Sequence, residues 1–235
     1  MNLFYAPDIG GHIHTLNKDD SNHLVRVFRA QNGDTVFITD GKGTIYKCVI
    51  TDANPKSCQV EIIEAAAGKD KRGFSLEIAI APTKNISRFE WFLEKSTEIG
   101  VDVITPLLCD HSERKIIKTD RLNRVLIAAM KQSLKSHLPV LRELTGFRKF
   151  ISQPFKGQKF IAYVDENTEN ELFHICRPDT DTLVLIGPEG DFSDEEITEA
   201  RDQGFVPVQL GPSRLRTETA GVVACHTVNL INLSK

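Results

Sequence analysis

The sequence predicts a small β-rich domain followed by an α/β domain with a parallel sheet. Before residue 70, short alternating runs lie between turn signals, and there is little helical pattern. From residue 74 onward, apolar runs of strand length alternate with helical patterns. Between these parts, residues 65–73 are small or charged, with glycines among them, which is typical of a linker. The expected domains are therefore residues 1–70 and residues 74–235.

The strands of the first domain are predicted from alternation between turn residues. They are expected at residues 33–41, 44–51 and 58–63, with a turn at residues 54–57. Short strands at this spacing favour a small β-barrel.

The second domain has the pattern of an open parallel sheet. Strands are predicted at residues 75–81, 103–109, 160–164, 182–186 and 206–210, and helices at residues 86–99, 120–136 and 218–231. Phe89, Phe92 and Leu93 mark the inner stripe of the first of these helices, and Gly100 is expected to end it. Ligands of such sheets bind beyond the carboxyl ends of the strands.

Composition indicates a globular protein and excludes several classes. Hydrophobic residues make up 40% and charged residues 26% of the chain. No apolar run approaches the roughly 20 residues of a membrane helix, and the N-terminus lacks a signal-peptide pattern. We therefore expect a cytoplasmic protein without a membrane partner. The five scattered cysteines fit neither a disulfide framework nor a zinc site, and no metal is predicted.

The net charge of −3 conceals a strong separation of charge. Residues 112–150 hold ten Lys or Arg against three acids, whereas residues 161–202 hold thirteen acids against two Arg. A chain that separates charge in this way can present a phosphate-attracting face at a low overall pI. A solvated helix face would give the same pattern, so charge alone leaves both interpretations open.

Two glycine-bearing loops are the candidate ligand-binding segments of the second domain. The first follows the predicted strand 182–186 and reads Gly187-Pro188-Glu189-Gly190, after which Ser193 and Glu196 form the pattern of a capping box. Glycine lets the backbone approach a ligand closely and leaves peptide N–H groups free to bind it. An ordinary strand-to-helix turn is the alternative. The Walker A and GxGxxG patterns are both absent from this loop.

The second loop follows the predicted strand 206–210 and reads Leu210-Gly211-Pro212-Ser213-Arg214-Leu215-Arg216-Thr217-Glu218. Arg216 is a candidate for holding a phosphate or carboxylate, and Glu218 for accepting a proton or binding an amine. Thr217 could instead cap the helix that follows. Two such loops after strands that could be neighbours favour a ligand site over two unrelated turns.

These residues resemble a known family. Ile186-Gly187-Pro188-Glu189-Gly190, together with Leu210-Gly211 and Leu215-Arg216-Thr217-Glu218-Thr219-Ala220, is similar to the signature of the ribosomal RNA small subunit methyltransferase E (RsmE) family of SPOUT methyltransferases. Segments 23–29, 94–101 and 129–133 agree with it, so the resemblance spans nearly the whole chain. Lys131 and Asp191 depart from the residues more common at those positions, Glu and Gly.

The resemblance implies a PUA-like β-barrel followed by a SPOUT α/β domain threaded as a trefoil knot. It implies a homodimer that binds S-adenosyl-L-methionine and methylates 16S ribosomal RNA of the small ribosomal subunit, at N3 of a uridine in the decoding region.

The site hypothesis follows from the loops and the resemblance together. Arg216 and Glu218 are the expected catalytic residues, with Glu218 as the base for the N3 proton and Arg216 stabilising the uracil anion or holding a phosphate. The expected cofactor-binding residues are Leu185, Gly187, Pro188, Glu189, Gly190, Leu210, Gly211, Leu215, Arg216, Thr217, Thr219 and Ala220. The expected RNA-binding residues are Arg26, Arg29, Arg114, Lys115, Lys118, Arg121 and Arg124.

Alternatives to this hypothesis stay open at the level of sequence. Arg216 and Glu218 could merely pair with each other or with backbone. A SPOUT ribose 2′-O-methyltransferase would share the fold, and a non-catalytic RNA-binding module would share the barrel and the basic segment. A phosphate-handling enzyme is the weakest alternative, because no acid pair for a metal accompanies the loops.

Overall fold

A computed structural model describes residues 2–68, 70, 72–163 and 170–233. The chain divides into two compact units, the first made of Met1–Lys71 with Ile127–Leu138 and the second of Arg72–Leu126 with Pro139–Lys235. The first unit thus takes in a segment that the linear division at residues 70–74 assigned to the second domain. Within the described part of the chain, no helix is long and apolar enough to cross a membrane.

The first unit contains a five-stranded sheet whose strands are β1 (Leu3–Tyr5), β2 (Ile13–Thr15), β3 (Thr35–Thr39), β4 (Thr44–Asp52) and β5 (Gln59–Ala67). Their order in the sheet is β1-β3-β4-β5-β2. Strand β1 is parallel to β3, and the other neighbours are antiparallel. Phe4, Ile38, Ile50 and Val60 are almost fully buried in the core of this unit. Helix α1 (Lys18–Asn22) leads into a π-helical turn, His23–Val27.

The linker expected from residue 65 begins later than predicted. Ala65, Ala66 and Ala67 belong to β5 and pair with residues 44–46 of β4. Alanine has a low strand propensity, but a nine-residue partner strand offers backbone hydrogen bonds that outweigh it.

The second unit contains a sheet whose strands are β6 (Leu76–Ile80), β7 (Val103–Leu108), β8 (Val140–Leu141), β9 (Thr145–Gly146), β10 (Gln158–Ala162), β11 (Thr182–Ile186) and β12 (Val206–Val208). Their order is β12-β10-β11-β6-β7-β8, with β9 also paired to β7. All neighbouring strands run parallel. This arrangement confirms the predicted α/β class.

Two strands of this sheet end two residues earlier than predicted, and β6 and β7 end one residue earlier. The strand expected at residues 160–164 lies at Gln158–Ala162, and residue 164 is outside the described residues. The strand expected at residues 206–210 ends at Val208, because Gln209 pairs instead with the backbone around residues 170–172. Its last two predicted residues therefore belong to the loop that follows.

The helices are α2 (Ile86–Ile99), α3 (Thr119–Gln132), α4 (Phe147–Ile151), α5 (Leu172–Ile175), α6 (Asp194–Asp202) and α7 (Thr217–Leu233). The bounds of α2 agree with the prediction, and Gly100 ends it at φ +130°. The third helix stops short of the predicted residue 136, since Leu134 adopts the left-handed conformation at φ 56°.

Helix α7 packs on α2, β6 and β11. Gly221 permits this close approach: a Cβ there would lie 2.7 Å from the Phe92 ring and 2.9 Å from Ile80 Cδ1. The packing brings the first turn of α7 to the carboxyl end of the sheet. The trefoil threading implied by the resemblance stays a prediction.

Candidate functional site

The carboxyl ends of β10, β11 and β12 open onto a cavity of about 490 Å³ in the second unit. These three strands are neighbours in the sheet, so the two glycine-bearing loops that follow β11 and β12 lie close together. The cavity is lined by Ala162, Tyr163, Ile186, Gly187, Pro188, Glu189, Asp191, Val208, Gln209, Leu210, Gly211, Pro212, Ser213, Arg214, Leu215, Arg216, Thr217 and Ala220. Its size is that of a pocket for a small molecule or cofactor.

The first loop makes a tight turn after β11. A Cβ on Gly187 would lie 3.1 Å from the Phe192 ring, so this position has little room for a side chain. Asp191 N–H donates to the Pro188 carbonyl at 3.0 Å and closes the turn. Helix α6 then begins with a complete capping box between Ser193 and Glu196, as predicted.

Asp191, one of the two departures from the family pattern, sits in the left-handed backbone region at φ 62°. Glycine adopts this conformation without strain, and Asp is among the few other residues that tolerate it. Its Oδ1 accepts a hydrogen bond from Phe192 N–H at 2.9 Å. The substitution therefore keeps the turn and adds a carboxylate to the cavity wall.

Two other segments of the chain hold this first loop, one through a side chain and one through a backbone N–H. His111 Nδ1 lies 3.1 Å from the Gly190 carbonyl and 3.0 Å from the Asp191 carbonyl, so it is placed to donate to both. Lys84 N–H donates to Glu189 Oε1 at 2.9 Å. Arg114 in turn donates to the carbonyls of Thr83 and Lys84. Sequence reasoning missed these supports because residues distant along the chain provide them.

The second loop forms an uninterrupted wall of the cavity from Val208 to Thr217. Gly211 has φ +117°, which only glycine adopts without strain. Arg216 is exposed and lines the cavity. Thr217 is the first residue of α7, so it belongs to the helix rather than preceding it as the N-cap. This wall combines apolar residues such as Val208 and Leu215 with polar ones such as Gln209 and Arg216.

Glu218 lies next to the cavity without lining it. It is 6% exposed, and its Oε2 has no hydrogen-bond partner among the residues that the structure describes. Arg88 Nε is 3.8 Å from Oε1. The ion pair of this carboxylate is therefore made with Arg88 of α2, and not with Arg216 as one alternative supposed. The sequence shows only that Arg88 lies in the first turn of the predicted helix, and it does not predict that this residue pairs with Glu218.

Most of the expected cofactor-binding residues line the cavity, and three do not. Leu185 lies inside β11 and is fully buried in the core. Gly190 faces the His111 side chain, with the position of a Cβ only 3.2 Å from His111 Cβ. Thr219 follows Glu218 in α7 and does not line the cavity either. Sequence reasoning missed the remaining wall: Ala162, Tyr163, Ile186, Asp191, Val208, Gln209, Pro212, Ser213 and Arg214.

The seven expected RNA-binding residues fall into two groups. Arg114 is engaged with backbone carbonyls, and Arg121 makes a two-point ion pair with Glu90. The other five are exposed, and none forms an ion pair within residues 2–68, 70, 72–163 and 170–233: Arg26, Arg29, Lys115, Lys118 and Arg124. The second group is thus available to bind phosphate.

Lys131, the other departure from the family pattern, has a structural contact within the first unit. Its Nζ lies 2.9 Å from Asp20 Oδ1 and 5.2 Å from the centre of the Phe4 ring. Within the first unit, these contacts tie the last turn of α3 to α1 and β1. In the described ranges, no group of three or more His, Cys, Asp or Glu side chains is placed to hold a metal ion.

Comparison with known families gives two matches. Residues 70–229 match the model of an RNA methyltransferase domain, and residues 16–63 match that of an RNA methyltransferase PUA domain. Together they confirm the predicted fold class, an α/β methyltransferase domain preceded by a PUA-like domain.

Individual relatives and structures agree with these matches. The ribosomal RNA small subunit methyltransferase E of Aquifex aeolicus is 29% identical over 94% of this chain and 96% of its own length. The crystal structure of a probable rRNA-methyltransferase from Porphyromonas gingivalis is similar at a TM-score of 0.94, with 44% identity over 99% of both chains. A methyltransferase from Legionella pneumophila, solved with its cofactor SAM, is similar at a TM-score of 0.88, with 27% identity over 98% and 97% of the two chains.

Proposed function

Because this chain belongs to the RNA methyltransferase family, we propose that it methylates small-subunit ribosomal RNA with S-adenosylmethionine as the methyl donor. The observation that carries the proposal is the cavity bounded by two glycine-bearing loops at the carboxyl ends of β10–β12. Two relatives support its details: the Aquifex aeolicus protein is named for small-subunit ribosomal RNA, and the Legionella pneumophila structure contains SAM.

The walls of the cavity fit S-adenosylmethionine. Ile186, Val208, Leu210 and Leu215 offer an apolar surface for the adenine ring, flanked by the backbone of both loops. Glu189 offers a carboxylate for the cationic amino group of the methionine part. When bound, the cofactor supplies an electrophilic methyl group on a sulfonium.

The proposed target is N3 of a uracil in the decoding region of 16S ribosomal RNA. N3 lies on the pairing edge of the base, so the target uracil must leave its stack before it can react. Its N3–H must also lose a proton during methyl transfer. Glu218 is the proposed acceptor of that proton, since its Oε2 has no partner within the described residues.

Arg216 is the proposed electrostatic partner of the substrate. Its guanidinium is exposed at the cavity wall and is not tied to Glu218. A cation at this place favours the negative charge that develops on uracil as the proton leaves, or holds the adjoining phosphate. Exposed basic residues Arg26, Arg29, Lys115, Lys118 and Arg124 would bind further phosphates and orient the RNA.

The resemblance also bears on assembly and location. We propose that the protein acts as a homodimer in the cytoplasm, where it would meet the small ribosomal subunit. Sedimentation at micromolar protein concentration tests the dimer, and a monomer that is fully active would contradict it.

Product analysis tests the proposed reaction directly. Unmodified small ribosomal subunits, and separately their free 16S RNA, are incubated with the protein and S-adenosylmethionine, and the nucleosides are identified by mass spectrometry. We expect N3-methyluridine in at least one of the two substrates. A methyl group on ribose would instead indicate the 2′-O-methyltransferase, and absence of cofactor binding by calorimetry would indicate a non-catalytic RNA-binding module.

A further inference from the structure

A buried carboxylate with a free oxygen is unusual enough to need a reason. Glu218 is 6% exposed, and Oε2 is unpartnered within the described residues. Leaving a charged acceptor without a partner costs folding free energy, so a purely structural Glu would be expected to have its oxygens satisfied. The unpartnered Oε2 therefore indicates that this oxygen has a role in the reaction.

Arg88 supplies the counter-charge for this carboxylate. Its Nε lies 3.8 Å from Oε1, which is within reach of charge attraction but longer than a hydrogen bond. The Arg88 side chain is 42% exposed, whereas the Glu218 side chain, taken without its backbone, is 8% exposed. The ion pair therefore joins a buried side chain to a partly exposed one, and water screens it less than it screens a pair at an open surface. Glu218 also lies in the first turn of α7, where the helix dipole favours a negative charge.

Rigid elements hold the two side chains at this separation. Helix α2 is capped by Asn85, whose Oδ1 accepts from Ser87 N–H at 3.1 Å. The segment before it is held by Arg114 through the carbonyls of Thr83 and Lys84. The close contact of Gly221 with Phe92 keeps α7 against α2. The position of Arg88 relative to Glu218 is therefore set by helix packing, not by a loop.

We propose that Arg88 is a positioning residue for methyl transfer, a role that rests on the proposed function. Its guanidinium engages Oε1 of Glu218, orients the carboxylate, and leaves Oε2 as the oxygen that accepts the proton. In the step, the N3–H bond breaks and its proton passes to Oε2. The nitrogen electron pair forms the bond to the methyl carbon, and the electrons of the carbon–sulfur bond stay on sulfur. Arg88 contacts none of the reacting atoms and acts through Glu218.

A double-mutant cycle tests the proposal. Turnover is measured on unmodified small subunits for the wild type, Arg88→Gln, Glu218→Gln and the double variant. We expect Arg88→Gln to lower kcat about 10- to 100-fold, with the KM for RNA and the Kd for S-adenosylmethionine changed less than about 2-fold. Because Arg88 acts through Glu218, the double variant should be no slower than Glu218→Gln alone.

Two further variants separate positioning from stability. Arg88→Lys retains a cation and should recover most of the lost kcat. Lys95→Gln removes a cation from the same helix, where Lys95 pairs with Glu94 and Glu98, and should leave kcat unchanged. Thermal unfolding of each variant verifies the fold, and a kcat loss in Arg88→Gln that follows a fall in Tm, without recovery in Arg88→Lys, would contradict the proposal.

The remaining outcomes distinguish this inference from the proposed function. Additive losses in the double variant, or a loss confined to the KM for RNA, would show that Arg88 binds RNA independently of Glu218 and would overturn the inference alone. A wild-type protein that binds S-adenosylmethionine but methylates no RNA would overturn the proposed function, and the inference with it.

Discussion

Glu218 and Arg216 are two residues apart, yet the structure places them in different environments. Arg216 is exposed on the cavity wall, whereas Glu218 is buried beside the cavity and paired with Arg88. Arg216 precedes α7 and is exposed, whereas Glu218 lies in the first turn of α7 and is buried. Arg216 is thus placed to contact RNA, whereas Glu218 can act only on an atom that approaches it. The proton acceptor and the electrostatic partner of the proposed reaction are therefore separate residues.

The role of Glu218 is tested by Glu218→Gln. The amide keeps the size of the side chain but cannot accept the N3 proton, so we expect kcat to fall at least about 100-fold with S-adenosylmethionine binding unchanged by calorimetry. Glu143→Gln, at an exposed position, is the control and should retain full turnover. Unchanged turnover in Glu218→Gln would remove this residue as the base.

A second residue-scale feature is the Asp70 carboxylate of the first unit. It accepts from Ser136 N–H at 2.9 Å, from His137 N–H at 3.2 Å and from the Ser136 hydroxyl. Burial by itself would raise the pKa of Asp70, but these hydrogen bonds outweigh it and hold the pKa below the ordinary value. A lowered pKa adds stability above the unfolded-state pKa of about 4, and this stability is lost as the pH falls through the folded-state pKa.

Substituting Asp70→Asn removes this contribution. We expect the free energy of unfolding at pH 7 to fall by about 1–3 kcal/mol, because the amide is a weaker acceptor for three donors. The difference from the wild type should shrink as the pH falls from about 4 through the lower folded-state pKa, because Asp70 is protonated first in the unfolded state and then in the folded state. Urea unfolding at pH 7, 5 and 3 measures it, and a difference that is constant with pH would refute the assignment.

At the scale of elements, the packing of α7 on α2 determines where the candidate site forms. Gly221 lies at this contact, and a Cβ there would lie 2.7 Å from the Phe92 ring. Gly221→Ala should therefore destabilise the protein by about 1–3 kcal/mol in urea unfolding, because overpacking forces the two helices apart. Gly146→Ala is the matched control, since no atom lies within 4 Å of the added Cβ at that position. Equal stability of both variants would contradict this account.

Element bounds were predicted well where a local signal marks them. Gly100 caps the end of α2, and the capping box of Ser193 marks the start of α6. Both signals are local. The ends of β5 and β12 were missed because distant partners decide them: the long neighbour β4 extends β5, and the backbone near residue 170 takes Gln209 out of β12. Tertiary hydrogen bonding overrode local propensity at both places.

At the scale of the whole molecule, the net charge of −3 hides a basic segment from residue 112 to residue 150. Part of this positive charge is already engaged within the protein: Arg121 forms an ion pair with Glu90, and Arg114 donates hydrogen bonds to backbone carbonyls. Exposed cations such as Lys118 and Arg124 remain for phosphate. We therefore expect RNA binding to weaken with salt in proportion to the phosphates that they contact.

The salt dependence gives a quantitative test. Filter binding of 16S RNA fragments between 50 and 200 mM salt, about the range over which such contacts are resolved, is compared for the wild type and Lys118→Gln/Arg124→Gln. We expect weaker binding and a log–log slope shallower by about 1.4–1.8, which corresponds to two lost phosphate contacts. Lys95→Gln, whose cation is paired within α2, should keep the wild-type slope. A wild-type affinity independent of salt would exclude phosphate contacts by this segment.

The sequence by itself determined the α/β class, the position of α2, the two glycine-bearing loops and the family that they resemble. Each of these features is predicted by neighbouring residues, through periodicity, helix caps or a contiguous motif. Only the tertiary structure decided which side chains meet. It paired Glu218 with Arg88, 130 positions away in the chain, and placed Ala162 and Tyr163 on the cavity wall. It also directed Gly190 toward His111. Such contacts depend on how strands and helices from distant parts of the chain pack together, and no local pattern records that packing.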